Sequence, residues 1–227
     1  MSPKVYTHYT TLQSSPDGIR WRTLLQFGDS WITQGTVVMK NPGKANFLHP
    51  DKRAITDSHT LQQLAAFDDG VPQAPWFEFR ADPTMRCIGK LFDEYYTLRG
   101  QKLNGIVQIF NLFYLREANL AEAMHKAKSY RLADMSAYDI SHTTAPVYLG
   151  FADLAHHRQH CATAKKFFDR AQELGMRNLD DNFLANDFIH PLYLMLYGKN
   201  APKCQTARVA FLHNCPASEL DRHNNTP

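Results

Sequence analysis

A chain of 227 residues with 44% hydrophobic and 21% charged side chains has ordinary globular composition, which excludes disorder as its general state. A formal charge of +3 neither marks a nucleic-acid binder nor opposes approach to a polyanion, so the placement of the basic residues must decide. Cys87, Cys161, Cys204 and Cys215 form no CxxC pair, supporting neither a zinc knuckle nor a disulfide framework.

In chain order, β-like stretches at 5–11 and 19–26 flank Ser15-Pro16-Asp17-Gly18, whose Pro and Gly preset turn dihedrals and so predict a hairpin. The run GTVVMK at 35–40 stops at Asn41-Pro42-Gly43, as a buried parallel strand would. A short helix is expected near 58–66, followed by an irregular stretch with prolines and aromatics over 71–79. Asp82-Pro83 opens a helix, because Asp caps free N–H groups and Pro is preformed for the first turn. Its apolar residues Met85, Ile88, Leu91 and Phe92 recur at helical spacing.

A second apolar strand is expected over 105–113, a helix near 120–128, and a third strand over 146–150. One long helix is expected over 153–174, stopped by Gly175. A fourth strand, 183–189, leads into His190-Pro191. Strands alternating with helices predict an α/β fold, a three-layer α/β/α sandwich with a short, mainly parallel four-stranded sheet plus the N-terminal hairpin. The expected unit is one domain over 1–215 with a polar tail at 216–227. Ligands of such sheets sit beyond the carboxyl ends of the strands, where Asn41, Asn111 and His190 all fall.

Four motifs occur in order: VVMKNPGKANFLHPDKR at 37–53, IFNLFYLRE at 109–117, APVYLGFADLA at 145–155 and FIHPLYLML at 188–196. Together they resemble the uracil-DNA glycosylase superfamily over roughly residues 35–200. Pairing Asn in the first motif with His in the last is similar to its single-strand-selective monofunctional branch. The mismatch-specific branch shares only the first. The segments NPGKA, DPTMRCIGKL and FNLFYLRE also resemble a bacterial and phage family of unassigned function. The last motif reads HPLY where the superfamily has HPSP.

The resemblance implies a cofactor-independent, monofunctional glycosylase that hydrolyses the N-glycosidic bond of a flipped-out pyrimidine and leaves an abasic site. It implies that Asn41 orients water and that His190 donates a hydrogen bond to the departing base. Phe47 would stack on that base and Asn111 would read its edge. Gly43 stands near the place of a bulky Tyr that blocks C5 in the uracil-restricted branch. Its small size admits a 5-modified pyrimidine, a hydroxymethylated or glucosylated cytosine or uracil among them, and a viral base would imply a defence role. Leu194 falls where the family has its wedge, and Lys44, Lys52, Arg53 and Lys199 would hold phosphates. The partner expected is DNA, single- or double-stranded, and the protein is expected to be a monomer.

Blander explanations stand beside these. Asn41-Pro42-Gly43 alone is a good turn, His190 can bond to backbone, and Phe47 and Leu194 suit a core. His156, His157, His160 and Cys161 invite a metal, but no HExxH motif forms and none is expected. No apolar run approaches the roughly 18 residues of a membrane span, and the first residues lack a signal peptide's apolar stretch. No membrane and a cytoplasmic location are therefore expected. The altered HPLY motif favours an alternative, a non-catalytic module that binds nucleic acid or a nucleotide on the same fold. A hydrolase or transferase of free nucleosides is a third.

Overall fold

The computed structural model describes residues 2–12, 18–43, 45–68, 74–117, 119–129, 136–176, 179–197 and 201–213. It is an α/β fold around one six-stranded mixed sheet. The strands are β1 (Lys4–Thr11), β2 (Gly18–Phe27), β3 (Thr33–Met39), β4 (Trp76–Phe79), β5 (Gly105–Asn111) and β6 (Val147–Gly150), in spatial order β4-β1-β2-β5-β3-β6. Only β5, β3 and β6 run parallel; β4, β1, β2 and β5 pair antiparallel in succession.

The expected hairpin therefore does not stand apart. It extends the sheet through the β2–β5 ladder, where Thr23 faces Ile109. A further strand, β4, comes from the proline-rich stretch that composition marks as irregular. Trp76 and Phe79 at its two ends are buried, Phe77 and Glu78 half-buried, and the strand pairs with β1 from Val5↔Phe79 to His8↔Trp76.

The expected fourth parallel strand is absent. Phe183–Ala185 forms a 3-10 turn capped by Asn182, whose Oδ1 accepts from Leu184 N at 3.2 Å. The Asn186 amide donates back to the carbonyls of Asp180 and Asn182, each at 2.9 Å. Such local side-chain bonds compete with a sheet ladder, and here they prevail.

The seven α-helices among the described residues are α1 (Ser58–Leu64), α2 (Pro83–Thr97), α3 (Leu120–Ser129), α4 (Ser136–Ser141), α5 (Cys161–Glu173), α6 (Pro191–Tyr197) and α7 (Pro202–Leu212). The expected long helix at 153–174 is broken. A 3-10 turn spans Ala152–His156, His157 is extended, and only then does α5 begin. Buried Ile88 and Phe92 face α2 inward, while Ala164, Phe167, Phe168 and Ala171 do the same for α5. Successive residues of β5 meet different helices: Ile109 shares a cavity with Ile88 of α2, and Phe110 faces Phe167 of α5 at 6.4 Å. Strand side chains alternate between faces, so α2 and α5 cover opposite sides of the sheet. No described helix is long and apolar enough to cross a membrane.

Candidate functional site

A cavity of about 160 Å³ opens at the carboxyl ends of β3 and β5. Asn41, Asn111 and His190, far apart in sequence, all line it, as does Gly43. Further polar wall comes from β2 through Arg20 and Thr23 and from the start of α2 through Asp82 and Thr84, and apolar wall from Met39, Met85, Ile88 and Ile109. Its size matches the ~150 Å³ of an apolar cavity that accepts benzene, and lies below the ~300 Å³ floor of drug-sized sites. It is a space for one six-membered ring.

Asn41 stands two residues past Met39, the end of β3. The β3–β5 connection continues past the ladder as Leu112 N donates to Met39 O at 3.0 Å and Phe113 N to Lys40 O at 3.3 Å. The Asn41 Nδ2 donates to Glu117 O at 2.7 Å, which leaves Oδ1 as the acceptor end. Gly43 has φ +61°, a conformation that favours glycine, and a Cβ there would meet nothing within 4 Å. The Arg116 guanidinium holds the following loop through two bonds to Ala45 O, at 3.1 and 2.7 Å.

Asn111 ends β5 and is 1% exposed, yet neither its Oδ1 nor its Nδ2 has a hydrogen-bond partner among the described residues. A buried carboxamide with neither end satisfied is costly, and native structures contain few such groups.

His190 precedes α6. The Tyr148 hydroxyl donates to Ile189 O at 2.6 Å, and Pro191 packs so closely on β6 that a Cβ on Gly150 would lie 2.8 Å from its Cδ. Leu192 N donates to His190 Nδ1 at 3.3 Å, which places the ring proton of the neutral imidazole on Nε2. Burial, reinforced by the Lys40 ammonium and opposed by Asp82, pushes His190 down to about 4, so it is neutral at pH 7. Lys40 itself pairs with Asp153, whose carboxyl the ammonium holds below the usual range.

The other expected site residues are placed elsewhere. Phe47 does not line the cavity. It is half-buried in an aromatic group, 4.4 Å from the Phe79 ring and edge-on to Tyr9 and Phe77. The Leu194 side chain is 2% exposed and belongs to the core, so it cannot serve as a protruding wedge; in that turn Tyr193 is the exposed residue. Lys52 and Arg53 are exposed in the loop after Phe47, Lys52 lying 5.9 Å over the Phe47 ring and Arg53 lying 3.9 Å from Asp51. Lys44, Lys199 and the tail 216–227 lie outside the described residues. His156 and His160 do not share a helix face: His156 ends the 3-10 turn, and His160 stacks on Phe113 at the start of α5. Among the described residues no group of three or more His, Cys, Asp or Glu could hold a metal ion.

Arg20 is the residue that sequence patterns did not single out. It is 2% exposed, 5.4 Å from the Phe79 ring, and its Nε and Nη1 have no hydrogen-bond partner among the described residues. A one-residue register shift in the β1–β2 ladder, with Arg22 at φ +47°, lets Arg20 and Thr23 line the same cavity. In an unbroken strand, residues three apart face opposite sides. Two arginines in the mostly apolar stretch IRWRTLLQF were the available signal, but only if that strand were known to be central. Comparison of the chain with protein-family models, with curated proteins and with solved structures gives no match.

Proposed function

We propose that the protein hydrolyses the N-glycosidic bond of a pyrimidine nucleotide in DNA, leaving an abasic site. The observation that carries this reading is the convergence of Asn41, Asn111 and His190 on one ring-sized cavity. A base inside a duplex cannot enter such a space, so the substrate nucleotide must be unstacked first.

The Asn41 Oδ1 accepts a hydrogen bond from water and orients it toward C1′, since an amide is too weak a base to deprotonate it. The C1′–N bond breaks with its electron pair passing to the base. Water oxygen bonds to C1′ and releases its proton to solvent. His190 Nε2–H donates to a ring oxygen as charge develops there, a contribution of about 3–4 kcal/mol for a well-aimed donor. Because the imidazole is neutral it donates without first acquiring a charge. Asn111 meets the Watson–Crick edge. No described neighbour fixes which end of its amide faces the ring, so oxo and amino edges are both compatible.

The cavity volume favours an unmodified base or one with a hydroxymethyl group. A hexose on C5 would have to extend beyond it, beside Gly43. Burial of Leu194 favours single-stranded over duplex DNA, because no wedge stands at that position.

Oligonucleotides carrying uracil, thymine, cytosine and 5-hydroxymethyl bases, single- and double-stranded, are the direct test, with abasic sites detected by alkaline cleavage. Asn41→Ala and His190→Ala should each slow base release by on the order of a hundredfold. Full activity in both variants would reject these roles. Salt-sensitive binding without release of any base would instead favour the non-catalytic module.

A further inference from the structure

Of the eight buried side-chain nitrogens and oxygens without a partner among the described residues, four belong to two residues lining this one cavity. They are Nε and Nη1 of Arg20 and both amide atoms of Asn111. A buried cation lacking a hydrogen-bonded counter-charge is strongly destabilising, and each unsatisfied polar group in a native fold needs a cause. Arg20 and Asn111 both line the same ring-sized space, so one ligand there is a cause common to both.

The surroundings specify its charge. Asp82 attracts Arg20 electrostatically but commits its own Oδ1 to Met85 N at 2.8 Å, capping α2, and Arg116 adds a second positive charge nearby. Burial pushes Arg20 down only to about 10, so it remains a cation at neutral pH. The start of α2, with Thr84 and Met85 on the cavity wall, adds the positive end of a helix dipole.

We infer that the cavity takes a planar six-membered ring bearing negative charge on its edge oxygens, with Arg20 as its counter-charge and Asn111 as the amide that reads the same edge. The ring is the pyrimidine of the proposed hydrolysis, on which this inference rests, and the charged state is the one the base acquires as its bond to sugar breaks. Arg20 thereby selects bases by the acidity of the ring, favouring diones over amino-substituted rings.

Binding of free rings to the purified protein tests this without DNA or turnover. Calorimetric titration would use barbiturate, ionised at neutral pH, uracil, neutral there, and benzoate, an anion lacking the dione edge. The wild type should bind barbiturate more tightly than uracil, and benzoate weakly. Arg20→Gln should weaken barbiturate by about thirtyfold or more and uracil much less, while leaving the unliganded melting temperature unchanged or raised. Should that variant fail to fold, Arg20→Lys keeps the charge without the planar fork, and must still weaken barbiturate more than uracil. Equal affinity for barbiturate and uracil, equal loss of both, benzoate binding as well as barbiturate, or no ring binding at all would each overturn the inference. Abasic-site formation that persists alongside any of these would leave the hydrolysis standing. Arg20-dependent barbiturate binding in a protein that releases no base would do the reverse.

Discussion

The neutrality of His190 has a measurable consequence for stability. Its folded value of about 4 lies below the ordinary 6.5 because burial disfavours the imidazolium and Lys40 repels it. Between those two values the unfolded chain binds a proton that the native ring refuses. Each pH unit in that window costs about 1.4 kcal/mol, so roughly 3 kcal/mol of stability is present above pH 6.5 and lost by about pH 4. His190→Gln removes the titration while keeping a side chain of similar size. Urea denaturation of both proteins at about pH 7.5 and about pH 4.5 isolates the effect from every other acid-sensitive group, His8 and His160 included. The wild type should lose about 2–3 kcal/mol more than the variant over that interval. Equal losses, or an NMR titration of the His190 ring near 6.5, would refute the burial of a neutral imidazole. With it would fall the assignment of a neutral donor.

Lys40→Ala should raise the His190 titration toward its ordinary value, read by the same NMR experiment. It should change stability by under about 1 kcal/mol, since Asp153 of the broken pair is 73% exposed. Gly150→Ala sets a Cβ 2.8 Å from Pro191 Cδ, so it should cost about 1–3 kcal/mol in chemical denaturation and slow base release by displacing His190. Asn41→Asp turns an oxygen toward Glu117 O in place of the donor now at 2.7 Å. It should cost about 1–3 kcal/mol and lower turnover although the side chain keeps its size.

What was legible in the chain was mostly local. Asp82-Pro83 announces the start of α2 because capping and a fixed φ act within one turn, and Asp82 does accept from Met85 N. The run ending at Asn41 announces β3 because a buried strand is uniformly apolar. Convergence of Asn41, Asn111 and His190 was legible as well, although His190 arrives on an irregular segment rather than at a strand end. What stayed hidden was non-local. Nothing within 18–27 says that β2 pairs with β5 and carries the hairpin into the main sheet. Phe183, Phe188 and Ile189 give the segment before His190 an apolar look, but Asn182 and Asn186 turn it back on itself. Arg20 was hidden for the same kind of reason: its approach to the cavity depends on a register shift against a partner strand.

In the proposed hydrolysis, the two basic residues His190 and Arg20 would divide the work of stabilising a departing base. Were His190 a cation it would face the Lys40 ammonium and share the cavity with Arg20, and like charges in a low-dielectric space repel strongly. Burial keeps the imidazole neutral, so it supplies direction through Nε2–H, while the positive charge resides on Arg20. Asp82 acts on both, holding each toward its protonated form, while its Oδ1 accepts from Met85 N as the cap of α2. Asp82 therefore does more than start α2: it lines the cavity wall and favours the cation on Arg20 that the proposed ring would meet.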